Sequence, residues 1–270
     1  MECRVQPYRM NGRTGDQSIA IETSEDKALG GRLVLRQPLR GHRFGHDAIL
    51  LAAATTAPES GRAVELGAGV GAAGLALARR IAGLTVTLVD IDPALTELAR
   101  GNAERNGLGE FVRSVCLDVT APAAAFAASG LAAEAADSIL MNPPFNAVDN
   151  PSPEPARRRA HTAPGGALRQ WVRTAARLLR PAGAVTLIWR ADGLAEVLAA
   201  FASDFGAVSL VPVYGKPAAP AIRILARAVK GSRAPLTLHA GLLLADAQGR
   251  PTDAAEAVLR NGGSLPLGEG

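Results

Sequence analysis

From residue 29 onward the chain alternates between two kinds of apolar pattern. Short continuous apolar runs at 63–66, 84–90, 111–117, 138–141, 184–189, 208–213 and 221–229 read as seven buried strands, each stopped by glycine, proline or an acid. Between them lie stretches with helical spacing: 72–81, a segment opened by Asp92 and Pro93 that runs through Asn102 to Asn106 and Gly107, an alanine-rich stretch at 121–133, an amphipathic one at 168–179 ended by residues 181–183, and 194–205. Strand and helix in alternation predict an α/β fold with mostly parallel strands, right-handed crossovers and helices on both faces. The last two strands are short of a crossover and predict an antiparallel pair across the turn at 214–220, giving a seven-stranded sheet with one antiparallel strand.

The flanks are less regular. Residues 1–28 are polar and aperiodic, and 30–37 read as a strand or hairpin arm followed by a turn at 38–41. Asp47 precedes a short apolar helix at 48–54 and is placed to cap it. After the seventh strand come a loop, a short strand at 236–244, a turn at 249–251 and a helix at 254–259. The expected organisation is an N-terminal extension and cover over 1–58, a core over 59–231 and a C-terminal appendage over 232–270.

Candidate chemistry gathers where the strands end. Pro143 and Pro144 cannot extend a sheet ladder, so the fourth strand must stop at Asn142, in a stiff loop at the carboxyl ends of the strands where α/β folds bind ligands. The Asn142 carboxamide and the Pro143 carbonyl would put two acceptors on one spot, suited to the hydrogens of a planar amino group, and Phe145 would add a stacking surface. Upstream, Glu65 leads into a glycine loop at 67–71, the second strand ends in Asp90 and the third at Asp118. The glycines at 69, 71 and 74 also fit a dinucleotide fingerprint with Asp90 at a suitable distance, so a nicotinamide enzyme competes. Against it stand the carboxylate of Glu65, which would repel a diphosphate, and the Asn142 loop, which has no part in hydride transfer.

Composition changes this picture little. The 270 residues are 48% hydrophobic and carry 29 basic against 25 acidic side chains, a formal charge of +4. Lysine stands only at 27, 216 and 230, and an arginine and alanine bias follows genome composition as readily as function. Cys3 and Cys116 lie far apart with no metal-like spacing, as in a reducing compartment, and no apolar run is long enough to span a bilayer. The expectation is a soluble cytoplasmic protein with no metal and no membrane partner.

Glu65 with the glycine loop, Asp90, Asp118 and Asn142-Pro143-Pro144-Phe145 resemble, in order, the motifs of class I S-adenosylmethionine-dependent methyltransferases that act on planar nitrogens. The resemblance covers about 29–230 and implies a Rossmann-like fold and S-adenosyl-L-methionine as cofactor. It implies that Glu65 engages the cofactor's amino group, that Gly67 and Gly69 let the backbone approach the methionine portion, and that Asp90, with Ile91 beside it, holds the ribose hydroxyls. Asp118 and Val119 would read the adenine, Asp47 would lie in a cover over the cofactor, and Asn142, Pro143, Pro144 and Phe145 would form the catalytic loop.

A closer resemblance joins residues 44–51, Met141 to Phe145 and the loop carrying Arg157, Arg158 and Arg159 to the bacterial methyltransferases that modify adenine N6 beside the valine-tRNA anticodon. It implies tRNA as the partner, with the arginine triplet on phosphates and Arg173, Arg177 and Arg223 as further contacts. Glutamine methyltransferases of release factors usually carry tyrosine where Phe145 stands, and guanine-N2 enzymes of ribosomal RNA can carry phenylalanine. Both remain alternatives, as does an RNA-binding module without catalysis. His161 is expected to be structural or a phosphate contact, and Trp171 to be core.

Overall fold

The computed structural model describes residues 22–40, 43–144, 166–265 and 267. Phe145, Arg157, Arg158, Arg159 and His161 therefore lie outside the described residues. In chain order the elements are β1 (Thr23–Ala28), β2 (Leu33–Pro38), α1 (His46–Ala54), β3 (Arg62–Leu66), α2 (Ala72–Arg80), β4 (Thr85–Asp90), α3 (Pro93–Arg105), β5 (Val112–Cys116), α4 (Ala123–Ala128), β6 (Ala136–Met141), α5 (Gly166–Leu178), β7 (Leu179–Arg190), α6 (Leu194–Phe201), β8 (Phe205–Tyr214), β9 (Ala221–Lys230), β10 (Thr237–Leu238), β11 (Leu242–Leu243) and α7 (Asp253–Leu259).

Seven long strands run in the order β8-β9-β7-β6-β3-β4-β5, with β9 antiparallel to both neighbours and the other pairings parallel. This is the mostly parallel α/β sheet that the alternation predicts and the Rossmann-like fold that the resemblance implies. Successive residues of a strand face opposite sides, so Ala63, Val86, Leu88 and Leu140 pack with α1, α2 and α3 on one face, while Val64, Leu66, Ile139 and Met141 pack with α4, α5 and α6 on the other. Both faces are dry, which is why these strands read as continuous apolar runs.

Several boundaries differ from the sequence reading. Thr23–Ala28 is not aperiodic: it pairs antiparallel with β2, and Asp26 accepts hydrogen bonds from Ser24 (2.9 Å), Gln37 (2.8 Å) and Arg43 (2.7 Å). Its order comes from the partner strand, whose Leu33 and Leu35 are fully buried. The helix at 121–133 shrinks to Ala123–Ala128, because the Ser129 hydroxyl bonds the Phe126 carbonyl and Gly130 turns left-handed at φ 80°. The helix at 194–205 ends at Phe201; Phe205 opens β8 yet keeps its ring 5.5 Å from that of Phe201, so a turn satisfies the same apolar spacing. The turn at 181–183 lies within β7 as an irregularity opposite β6.

The strand expected at 236–244 is two short pieces, β10 and β11, each parallel to β8, which brings the sheet to nine strands. The break falls at Gly241, where the chain crosses over Tyr214. A Cβ there would lie 2.3 Å from the tyrosine ring and 2.9 Å from the Pro212 carbonyl oxygen. Gly241→Ala should therefore cost about 1–3 kcal/mol, the usual penalty of overpacking, read as a lower urea midpoint. An unchanged midpoint would mean that the crossing has room to spare.

Candidate functional site

The site is set by strand register. Leu66 pairs with both Val89 and Met141, and Asp90 pairs with Cys116, so the chain leaves β3, β4, β5 and β6 along one carboxyl edge. Gly67, Asp90, Asp118 and Asn142 consequently line that edge together. β6 ends at Met141, one residue before Asn142, as the following prolines demand.

The loop after β3 is tied back to β4 by the amides of Gly67 and Ala68, both donating to the Val89 carbonyl at 2.8 and 2.9 Å. Gly67 takes φ 70°, and a Cβ on it would lie 2.4 Å from the indole of Trp171. Trp171 is thus half-buried against the glycine loop as well as against the core. Gly69 also has a left-handed φ, 54°, but nothing lies within 4 Å of its would-be Cβ: the loop faces open space there. Its amide donates to Asp90 Oδ2 at 2.7 Å, and Asp90 Oδ1 accepts from the Asp92 amide at 2.9 Å. A carboxylate has about four acceptor positions, so Asp90 retains capacity for hydroxyl donors. Beside it Ile91 is 59% exposed, an apolar surface next to an acceptor.

Asp118 accepts from the amide and hydroxyl of Thr120, each at 2.8 Å, which fixes its turn, and Val119 is buried with its carbonyl bonded to Thr174. Asn142 Oδ1 is buried and has no hydrogen-bond partner among the described residues. Pro143 is buried and Pro144 exposed. A buried acceptor without a donor is costly, so Asn142 Oδ1 is a position that an incoming N–H would satisfy.

Other expectations need correction. Glu65 is 4% exposed, and its Oε2 accepts from the Gly74 amide of α2 at 2.7 Å. Burial, with a smaller contribution from the Asp90 charge, raises its pKa to about 8. Burial thus favours the neutral acid of Glu65 at neutral pH, which leaves it little charge with which to repel a diphosphate. Asp47 is not a cap: α1 begins at His46 behind Gly45, without a side-chain cap, and the Asp47 carboxylate pairs with Arg223 at 2.9 Å. That pair, and the stacking of Arg177 on the Phe126 ring at 4.8 Å, engage two arginines expected to be available to phosphates. Arg173 is exposed. Among the described residues no group of acids, histidines and cysteines is arranged to hold a metal, and no helix is long and apolar enough to cross a membrane.

The family described as "Methyltransferase small domain" matches residues 44–214. Two curated relatives are release factor glutamine methyltransferases: that of Chlorobaculum tepidum is 31% identical over 175 residues, 62% of this chain and 58% of that protein. That of Gloeobacter violaceus is 36% identical over 139 residues, 47% of this chain and 44% of the relative. The chain thus spans little more than half of the first and less than half of the second. Among solved structures, a predicted O-methyltransferase from Agrobacterium tumefaciens is 30% identical, covers 81% of this chain and 98% of its own, and superposes with a TM-score of 0.69.

The protonation of Glu65 gives a pH test. A carboxyl whose folded pKa lies above the model value of 4.5 contributes stability that is full below that value and is lost as pH rises through about 8. Glu65→Gln keeps an acceptor for Gly74 but cannot ionise. Relative to this variant, wild-type Tm should fall as pH is raised from about 5 to about 9; parallel Tm profiles would mean that Glu65 does not titrate in this range.

Proposed function

Because the chain belongs to the methyltransferase small-domain family, whose members are S-adenosylmethionine-dependent, we propose that it methylates a planar nitrogen held by Asn142 and Pro143. The observation that carries this reading is the buried, unpartnered Asn142 Oδ1, one register step from the glycine loop. The residues fit the cofactor: the open face at Gly69, the spare acceptor capacity of Asp90, and exposed Ile91 lie on the same edge. When bound, S-adenosylmethionine supplies a methyl group already activated on sulfur.

The protein's contribution is alignment and electrostatics. A nitrogen conjugated to a ring or carbonyl is a weak nucleophile, since its lone pair is delocalised. Asn142 Oδ1 and the Pro143 carbonyl would accept its two hydrogens, orient its lone pair and stabilise the positive charge that grows on the nitrogen, which would release one of those protons to solvent once methylated. Asp90 would hold the ribose, with exposed Ile91 beside it as an apolar surface for the adenine. Asp118 and Val119 would read the adenine, and Gly67 and Gly69 would let the backbone approach the methionine portion. Glu65 acts beneath the loop through Gly74, and Asp47, locked to Arg223, holds the start of α1 at the same end of the sheet.

For the acceptor, the names of both curated relatives support the side-chain amide of a glutamine in a protein such as a release factor. A second reading, N6 of adenine in tRNA, rests on Phe145 in the place where tyrosine is usual for glutamine enzymes, on the segment at 44–51, and on the arginines at 157–159. The shared core of the relatives supports the cofactor chemistry equally for both.

Incubation with labelled S-adenosylmethionine and, separately, release factor, unmodified tRNA and ribosomal RNA, followed by residue and nucleoside analysis, tests the acceptor. Methylglutamine is the expected product of the first reading and N6-methyladenosine of the second; N2-methylguanosine alone would overturn both. Asn142→Ala should lower kcat by about 100-fold or more while leaving cofactor affinity within a few-fold, the pattern of a lost transition-state partner. Asp90→Ala should instead weaken cofactor binding by about 10- to 100-fold in calorimetry. Unchanged turnover in the first variant, or unchanged affinity in the second, would remove that residue from its role.

A further inference from the structure

The least ordinary residue on α3 is Asn102, a poor helix former set in the interior of a helix and fully buried. Its Oδ1 accepts from the Arg36 amide at 2.8 Å, and its Nδ2 donates to the Arg36 carbonyl at 2.9 Å and to the Val70 carbonyl at 3.1 Å. Four residues later Asn106 repeats the pattern: Oδ1 accepts from the Val34 amide at 2.9 Å, and Nδ2 donates to the Val34 carbonyl at 2.7 Å. The spacing is physical. Four residues of helix rise about 6 Å, close to the ~6.8 Å of two residues of strand, so alternate residues of β2 meet successive turns of α3. Two carboxamides thereby stand in for a missing strand beside β2. They hold the hairpin formed by β1 and β2 against the core.

Asn106 Nδ2 also donates to the Asn102 backbone carbonyl at 2.8 Å, within its own helical turn, but only Asn102 reaches the glycine loop. Val70 lies between Gly69, whose amide holds Asp90, and Gly71, the residue just before α2. One carboxamide therefore grips the hairpin with one hydrogen and the glycine loop with the other. Without it the buried Val70 carbonyl loses this donor, and the peptide next to Gly69 is free to tilt.

We propose that Asn102 is a positioning residue that fixes the glycine loop for cofactor binding and couples that loop to the N-terminal hairpin. The inference rests on the cofactor reading above. Asn106 supplies an internal control, since it holds the same hairpin by the same chemistry but does not reach the loop.

Calorimetric titration of the full chain with S-adenosylmethionine tests it. Asn102→Ala should weaken binding about tenfold and Asn106→Ala less than about threefold, although both should lower Tm. Saturating peptide or RNA substrate should expose the same split in kinetics, with KM for the cofactor raised in Asn102→Ala and kcat little changed. Affinity within about twofold of wild type for Asn102→Ala, or equal weakening by Asn106→Ala, would overturn the inference. A wild-type chain that binds no S-adenosylmethionine would overturn the cofactor reading and this inference with it; one that binds, while Asn102→Ala binds equally well, overturns the inference alone. Should Asn102→Ala fail to fold, hydrogen exchange in the wild type decides: coupling is reciprocal, so the cofactor should slow exchange of the Arg36 and Val34 amides several-fold. Unchanged exchange would again overturn it.

Discussion

The pairing of Leu66 with Met141 is the constraint on which the site depends. Two parallel strands in register must both leave the sheet at the next residue, one because glycine lets the chain turn back sharply and the other because proline denies it a further ladder bond. A slip by a single residue would turn Glu65 into the opposite layer and carry Asn142 away from the glycine loop, since strand side chains alternate faces. Each layer is close-packed around the particular side chains that β3 and β6 send into it, so a slip would misfit both, and packing of the core and placement of the chemistry are one and the same specification.

Much of this was legible from residue types alone. Buried parallel strands write themselves as continuous apolar runs, the prolines at 143 and 144 mark where a strand ends, and an acid at the end of each of the next two strands stands at the edge by necessity. What escaped was whatever depends on a partner distant in the chain. Asp47 looked like a cap because only its helix was in view; its partner Arg223 lies 176 residues away. Thr23–Ala28 is polar and gains its order from β2. Asn102 and Asn106 did leave a trace, two weak helix formers four residues apart, but the strand they grip could not be inferred from it.

The acceptor was hard to read for a different reason. A glutamine amide, the N6 of adenine and the N2 of guanine all present a flat nitrogen with two hydrogens, and two converging acceptors suit all three. Discrimination must come from what surrounds that nitrogen, and Phe145 is the nearest residue in sequence that differs in chemistry between the alternatives. Glu65 shows a related limit. Its letter denotes a charge, whereas its surroundings favour the neutral acid, and burial decided between the two.

The segment after β9 runs back along β8 as two short pieces. Between them they occupy the backbone groups of the outermost long strand, with the Ala207 amide on Ala234, the His239 amide on Leu210 and the Leu244 amide on Tyr214. Uncovered, β8 would offer ten residues of unpaired strand, an open template for another copy of the chain to add onto. The break at Gly241 keeps the cover from becoming a long straight template in its turn. The stretch at 232–244 thus shields the edge of a sheet whose carboxyl-end site lies several strands away, while the residues after it, with Val258, Leu265 and Leu267, return to the core beneath α1.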